Sequence, residues 1–232
     1  MKFIVLRSII NLLLPRYCES CSSRLALSEQ VLCCRCIALL PRTADVVAPY
    51  DNSMARMFWA RIPVERCAAF MYYQPHTHSA NIIYSLKYRN RPDIGIELGR
   101  IIATEYAQHH FFDGIDIIIP LPLHEQRQKN RGYNQSQQLS CGISSITGIV
   151  VRTDIVLRTR HTSSQTLLSA TNRITNMHGA FSLVNPRDIE GKHLLLVDDV
   201  FTTGATLLEC ASVLAAVAGV RISVLTIGRT IM

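Results

Sequence analysis

Apolar residues occur in two patterns along this chain. Runs of consecutive apolar residues, as in 117–119 and 194–197, are typical of strands that are buried on both faces of a sheet. Other short stretches are rich in residues that favour strands. We predict strands over five stretches: 67–73, 116–120, 149–157, 193–197 and 221–226.

Stretches with helical spacing separate these strands. Ile82, Ile83 and Leu86 share one face of a helix that Ser79 is placed to cap, and Asp93 is placed to cap the next helix. We predict further helices over 1–14, from about 134, over 165–175 and over 206–217.

The alternation of strands and helices decides the fold class. Strands buried on both faces and joined by helices predict an α/β fold, with a parallel sheet and helices on both of its faces. Turn-forming residues at 49–53 mark a linker. We therefore predict two domains, a small head at 1–45 that includes the N-terminal helix and a sheet domain at 55–232.

The composition of the chain indicates which class of partner it binds. Hydrophobic residues make up 48% of the 232, so the chain can bury a substantial core, and its formal net charge is +7. Lysine occurs only at positions 2, 87, 129 and 192, so most of the positive charge is arginine, whose guanidinium binds phosphate oxygens in pairs. This favours a nucleic acid or a phosphorylated small molecule; a basic protein that merely stays soluble is the alternative.

No stretch reaches the roughly 18 apolar residues that a membrane helix needs. The apolar run at 9–14 is short for a signal peptide, and no small-residue cleavage site follows it. We expect a cytoplasmic protein without a transmembrane segment.

Five of the eight cysteines fall within residues 18–36. Cys18 and Cys21 form one Cys-x-x-Cys pair, and Cys33 and Cys36 form another. Two such pairs supply four thiolates for a tetrahedral Zn²⁺ site, which is closed and therefore structural. Cys34 is a spare that leaves a shifted register open. Disulfides or a redox dithiol are the alternatives, which a cytoplasmic location disfavours. We call residues 1–45 the cysteine head.

The predicted strand at 193–197 ends in two carboxylates, Asp198 and Asp199. A loop of mostly small residues follows, and then a helix: Val200, Phe201, Thr202, Thr203, Gly204, Ala205 and Thr206. Such a loop lets backbone N–H groups close on a phosphate at the helix N-terminus. The carboxylates suit vicinal hydroxyls, as on a ribose, or a metal. A Walker B strand is the rival interpretation, but no phosphate-loop motif precedes it.

Two basic segments follow other predicted strands. The first contains Leu121, Pro122, Leu123, His124, Arg127, Lys129 and Arg131. The second begins at Arg158 and includes Arg160, Thr162 and Gln165. On charge alone, such a segment is a solvated surface loop.

Aromatic and basic residues alternate near the predicted first helix of the sheet domain: Tyr84, Lys87, Tyr88, Arg89 and Arg91. Such a set can stack nucleobases and neutralise phosphates. An amphipathic helix with a charged end is the alternative.

The residues from Asp198 to Thr206 resemble the 5-phosphoribosyl-1-pyrophosphate (PRPP) motif of type I phosphoribosyltransferases, Asp-Asp-x-x-Thr-Thr-Gly-x-Thr after four hydrophobic residues. Four more motifs occur in order: Pro-Leu-Pro-Leu-His, Arg-Gly-Tyr-Asn-Gln, Arg-x-Arg-x-Thr-x-x-Gln and Asn-x-x-Gly-Ala-Phe. With the cysteine ribbon in front, nearly the whole chain resembles the ComF family (competence protein F), which joins a zinc ribbon to a type I phosphoribosyltransferase-like domain.

The resemblance implies roles for these residues. Asp198 and Asp199 would bind the ribose hydroxyls, and residues 202–206 would bind the 5′-phosphate. The first basic segment would hold the pyrophosphate of PRPP with Mg²⁺, and the second would belong to a mobile hood.

The resemblance also implies a function in natural transformation, the uptake and processing of DNA, with single-stranded DNA and a helicase-like competence protein as partners. The alternatives are a salvage phosphoribosyltransferase and a non-catalytic module that senses PRPP or binds DNA. Hypoxanthine-guanine transferases carry a catalytic aspartate where Thr202 stands, which weakens purine salvage. The catalytic group is therefore open, with Glu125, His124 and His161 as candidates.

Overall fold

The computed structural model describes residues 13–59, 61–159 and 179–231. The strands of this part of the chain are β1 Cys67–Tyr73, β2 Ile117–Pro120, β3 Val150–Val151, β4 Val156–Arg158, β5 Phe181–Leu183, β6 His193–Phe201 and β7 Arg221–Thr230. Five of them form a parallel sheet in the order β1-β7-β6-β2-β3, while β4 and β5 pair antiparallel. The predicted parallel α/β sheet is confirmed.

The helices of the described residues are α1 Cys34–Leu39, α2 Ser53–Arg56, α3 His78–Tyr88, α4 Pro92–Ala107, α5 Glu125–Arg131, α6 Gln135–Thr147 and α7 Ala205–Ala215, with a 3₁₀ helix at Pro186–Ile189. Successive strand residues alternate between two hydrophobic clusters. Leu195 packs in the cluster that contains α3, α4 and α6, and Leu196 packs in the cluster that contains α2 and α7. The sheet is thus covered by helices on both faces.

Strand boundaries differ from the prediction in two ways. The stretch 149–157 is two short strands in different sheets, because Arg152 and Asp154 pair with each other (2.7 Å) at a polar bend between them. Strands β6 and β7 are longer than predicted, since their pairing continues to Phe201 and Arg229. Asp198 and Asp199 therefore lie within β6 rather than after it.

Helix starts also differ from the prediction. The side chain of Thr77, not Ser79, caps α3 by accepting from the Ala80 N–H (3.3 Å), and Ser79 is buried in the first turn. Helix α4 begins at Pro92 without a side-chain cap; Asp93 lies in its first turn. The basic residues of the first basic segment, expected in a loop, lie in α5, and residues 121–124 precede that helix. Residues 1–12 and 165–175 of the predicted helices lie outside the described residues.

Two glycines bring α4 and α6 into backbone contact. A Cβ atom on Gly99 would lie 2.3 Å from the Leu139 carbonyl oxygen, and one on Gly142 would lie 2.1 Å from the Ile96 carbonyl oxygen. No larger residue fits at this crossing. The crossing fixes α6, whose N-terminus reaches the sheet beside β6.

The cysteine head packs against the sheet domain. Leu25 and Leu32 of the head share a hydrophobic cluster with Ile82, Ile83 and Leu86 of α3. The boundaries of the two predicted domains stay a prediction. Within residues 13–59, 61–159 and 179–231, no helix has the length and apolar character needed to cross a membrane.

Candidate metal centre and ribose-phosphate site

The four predicted ligands Cys18, Cys21, Cys33 and Cys36 converge, with their sulfur atoms all within 4.8 Å of one another. The Sγ atoms of Cys21 and Cys33 lie 3.8 Å apart. Tetrahedral zinc with Zn–S bonds of about 2.3 Å requires thiolates about 3.8 Å apart. The arrangement therefore fits a four-coordinate structural zinc site.

The spare cysteine lies outside this cluster. The Cys34 N–H donates to Glu29 (2.7 Å), whose other oxygen accepts from the Ala26 N–H (2.6 Å), and the Cys34 side chain is exposed. The register that uses Cys33 is thus the one that the fold builds. All eight cysteines are free, so no disulfide competes for the thiols.

The four thiols differ in acidity before any metal binds. Hydrogen bonding with Ser23 lowers the pKa of Cys21 to about 6, whereas burial raises the pKa of Cys36 to about 12. A zinc ion binds thiolates, so it would displace the proton of Cys36 on binding.

The second site lies at the carboxyl end of β6. Asp198 accepts hydrogen bonds from Ser136 Oγ (3.0 Å) and from the Asp199 N–H (2.8 Å). Burial, and then the adjacent Asp199 charge, raise the pKa of Asp198 to about 7. Two carboxylates held together at a buried strand end are costly unless something compensates them, which is typical of a binding site.

Ser136 is placed by a buried asparagine. Asn134 caps α6 by accepting from the Ser136 N–H (3.0 Å), and its amide donates to the Leu121 carbonyl (3.0 Å) at the end of β2. Because Leu121 N–H donates to the Val197 carbonyl (2.8 Å), the ends of β2 and β6 and the start of α6 form one unit.

Lys87 supplies the compensating charge. Its Nζ lies 2.9 Å from Asp199 Oδ1, and both side chains are largely buried, with 22% and 12% exposed. Burial disfavours the ammonium, but attraction to Asp199 and Asp198 outweighs it, so the pKa of Lys87 is raised. The last turn of α3 thus contributes to the site.

The loop after β6 closes around a small cavity. Gly204 caps α7 in the left-handed conformation (φ +69°), and a Cβ atom there would lie 2.7 Å from the Phe201 ring. The cavity, of about 40 Å³, is lined by Asp198, Val200, Phe201, Thr202, Thr203, Gly204, Ala205, Thr206 and Leu207. Three threonines and the N-terminal residues of α7 line this cavity, an arrangement suited to an anion.

The first basic segment lies beside this site. Burial, and then repulsion from Arg131, lower the pKa of Arg127, and the Asp199 charge acts against that change. Lys129 pairs with Glu125 (2.6 Å) on the outer side of α5, and His124 caps that helix by accepting from the Gln126 N–H (3.2 Å). Within this segment, Arg127 interacts electrostatically with Asp199, and Arg131 interacts with Lys87 and Arg127.

Of the predicted hood, only Arg158 is described. Its guanidinium lies 5.3 Å from the centre of the Phe181 ring. Burial, and then the Arg127 charge, lower the pKa of Arg158, while Asp198 opposes this. Arg160, His161, Thr162 and Gln165 lie outside the described residues.

The predicted nucleic-acid residues do not form one set. Tyr84 and Tyr88 are exposed with ring centres 5.1 Å apart, Arg89 lies 5.8 Å from Tyr84, and Arg131 lies 5.6 Å from Tyr88. We call these four residues the aromatic-basic surface. Lys87, from the same helix, points instead to Asp199, and Arg91 pairs with Asp93 (2.7 Å) and Glu19.

Comparison with known proteins places this geometry in a family. The family model "Phosphoribosyl transferase domain" matches residues 131–228. The DNA utilization protein YhgH of Shigella flexneri is 31% identical over 231 residues, which cover 95% of this chain and 100% of that protein. Competence protein F of Haemophilus influenzae is 37% identical over 137 residues, 57% of this chain and 60% of that protein. This chain belongs to the ComF family.

The predicted phosphoribosyltransferase-like fold is thereby confirmed for this ComF-family chain, with a cysteine cluster that can hold a metal at its N-terminal side. Among solved structures, the glutamine PRPP amidotransferase of B. subtilis is 20% identical, with a TM-score of 0.40 over 60% of this chain and 30% of that one.

Sequence reasoning missed two residues of this ComF-family site. Ser136 belongs to none of the motifs that indicate a site. Its position two residues after a helix-capping asparagine could, however, have been predicted from the sequence. Lys87 was assigned to a nucleic-acid surface, because the helical pattern showed its neighbours Tyr84 and Tyr88 and not the distant acid that it meets. One clue was available: Lys87 is one of only four lysines in an arginine-rich chain.

Proposed function

We propose that this protein binds a ribose phosphate of the PRPP class and uses that site in a ComF-like role in competence and DNA use. Asp198 and Asp199 would accept hydrogen bonds from the ribose hydroxyls, and residues 202–206 would surround the 5′-phosphate. The observation that carries the proposal is a partly compensated acidic pair that a four-residue segment joins to a glycine-capped helix N-terminus. The names of the relatives, competence protein F and DNA utilization protein, support the cellular role.

The charges around the acidic pair favour a phosphorylated ligand. Lys87, Arg127, Arg131 and Arg158 act electrostatically on Asp198, Asp199 or one another. A guanidinium binds phosphate oxygens in pairs, so Arg127 and Arg131 would contact a pyrophosphate. Mg²⁺, which prefers phosphate and carboxylate oxygens, would enter with that pyrophosphate.

Direct titration of the protein with PRPP and Mg²⁺ in a calorimeter tests this proposal. We expect saturable binding in the wild type and none in Asp198→Ala with Asp199→Ala. Asp113→Ala is the matched control, since its carboxylate is exposed on a distant turn. Binding that survives in the double variant, with the fold intact by circular dichroism, would contradict the assignment of the site.

Whether PRPP is turned over is a separate question. Thr202 has no acidic group, His124 caps α5 and Glu125 pairs with Lys129, so these three residues give no support to a general acid for the base; the candidate His161 lies outside the described residues. We therefore propose binding rather than purine salvage as the main function. Release of pyrophosphate with a panel of bases, above the protein-free rate, would favour the transferase alternative instead.

A second candidate function is binding of single-stranded DNA. The aromatic-basic surface carries it, because exposed tyrosines beside arginines suit base stacking and phosphate contacts. We expect Tyr84→Ala with Tyr88→Ala to weaken binding of a fluorescent single-stranded oligonucleotide about thirtyfold or more, because each of two stacked bases contributes about 1–3 kcal/mol. An unchanged affinity would exclude this surface.

The remaining parts of the proposal rest on the family. A helicase-like competence protein is the proposed protein partner, and the cytoplasm is the proposed location.

A further inference from the structure

The N-terminal end of helix α3 is held by Ser20, which lies between the first two predicted metal ligands. The Ser20 carbonyl accepts from Asn81 Nδ2 (3.3 Å) and lies 3.1 Å from His78 Nδ1, while Ser20 Oγ donates to the His78 carbonyl (3.2 Å). Ser20 is buried and lies between Cys18 and Cys21. The turn that would carry two metal ligands is therefore also the turn that docks the helix.

The same turn reaches past the other end of the helix. Glu19, the residue before Ser20, contacts the guanidinium of Arg91, which is three residues beyond the end of α3. Arg91 is kept in position by two further bonds to Asp93 (2.7 and 2.8 Å). Because α3 is about 16 Å long, contacts at both ends fix its orientation as well as its position.

An isolated helix of this length is marginal in water, so its geometry depends on what it packs against. Its buried face shares a cluster with Cys18, Leu25 and Leu32 of the cysteine head. On the other side, the Tyr133 hydroxyl donates to the Leu86 carbonyl, directly before Lys87.

We propose that the Cys18–Cys21 turn of the metal centre positions α3 so that Lys87 reaches Asp199, which couples the cysteine head to the ribose-phosphate site. Lys87 is then a residue of that site, and Glu19 and Ser20 are positioning residues that act through the helix. The consequence for ligand affinity rests on the proposed function; the consequence for Lys87 does not.

Chemical acetylation of the full-length protein, read out by mass spectrometry, tests the coupling without any ligand. The chain has only four lysines, and Lys129 and Lys192 are exposed internal references for the buried Lys87. In the zinc-loaded protein we expect Lys87 to react slowly. Removal of zinc with a chelator should speed its acetylation about tenfold relative to Lys192, as expected when a part-buried ion pair loses its fixed geometry.

Two variants separate this coupling from general loss of the head. Glu19→Gln removes the ion pair with Arg91, and Asn81→Ala removes the hydrogen bond to the Ser20 carbonyl. Both variants keep all four cysteines. With zinc content unchanged, each should speed acetylation of Lys87 about threefold, and Glu190→Gln, an exposed carboxylate elsewhere, should not. If the rate at Lys87 is the same with and without zinc and in both variants, the coupling is wrong.

A parallel titration with PRPP separates the two proposals. The coupling predicts that Glu19→Gln weakens PRPP binding about threefold, in step with the exposure of Lys87. A wild-type protein that does not bind PRPP would overturn the proposed function, while the acetylation rates would still decide the coupling.

Discussion

The cysteine head and the site at the end of β6 both gather like charges, but they are built over different distances. The head collects its four thiols from residues 18–36, one pair from a turn and the other from the start of helix α1. The other site collects Asp198 and Asp199 from a strand, Ser136 from a helix 62 residues away, and Lys87 from a helix still farther along the chain. The spacing of residues along the chain is enough to predict the cysteine cluster, whereas the site at the end of β6 forms only when the helices pack against the sheet.

The two regions also compensate their charge differently. The four thiols of the head lie close enough together to hold a metal ion, and a bound ion would compensate their charge and stabilise the head. At the sheet edge, Lys87 and hydrogen bonds compensate the carboxylates in part, and Asp198 keeps a raised pKa. A site left partly uncompensated is one that can still bind a ligand.

The largest expected effect is the loss of zinc and of folded structure in the cysteine head when one of its ligands is replaced. Cys18→Ser should abolish zinc binding and unfold the head, since a structural zinc site contributes on the order of 10 kcal/mol. Zinc content by mass spectrometry and proteolysis of the head check this. Cys34→Ser is the matched control and should keep its zinc; loss of zinc in that variant would mean that the register is shifted.

A substitution in the phosphate loop should do the reverse and leave zinc in place. Gly204→Ala combines the cost of a left-handed alanine, about 1 kcal/mol, with a clash against the Phe201 ring. Gly114→Ala has the same backbone cost (φ +71°) and no atom within 4 Å. We expect a greater loss of stability for Gly204→Ala in urea unfolding, together with weaker PRPP binding; equal losses would mean that the ring moves freely.

The acidic pair should show a cost in stability that depends on pH. Because the pKa of Asp198 is raised to about 7, the folded protein keeps a proton that the unfolded chain releases near pH 4, so stability falls as the pH rises between these values. Asp198→Asn removes that cost. Its melting temperature should exceed that of the wild type by about 3 °C at pH 8, and by less at pH 5. The same difference at both pH values would contradict the raised pKa.

The smallest expected effect concerns the aromatic-basic surface next to the site. Arg131→Gln should weaken single-stranded DNA binding modestly and lower the slope of log affinity against log salt by about one, because one phosphate contact is lost. Fluorescence anisotropy at several salt concentrations measures the slope. Arg61→Gln, which changes an exposed arginine outside this surface, should leave the slope unchanged.

Local sequence patterns predicted much of the secondary structure and the cysteine cluster. Runs of consecutive apolar residues predicted β2 and β6, and cysteine spacing predicted the cluster that the structure brings together. Helix caps were less accessible, because Thr77 and Ser79 are equally good candidates and only packing decides which one is buried. The stretch 149–157 had the composition of one strand, yet an ion pair between Arg152 and Asp154 divides it.

The sequence by itself determined the family motifs, the order of strands along the chain and the composition of both sites, because these depend on residues that are neighbours in the chain. The tertiary structure alone decided that Lys87 meets Asp199 and that Ser136 meets Asp198. Those contacts depend on where α3 and α6 lie against the sheet. Gly99 and Gly142 bring α6 close to α4, and the Ser20 carbonyl of the head accepts a hydrogen bond from Asn81 of α3. A helical pattern shows which residues share a face, and only the packed molecule shows what that face meets.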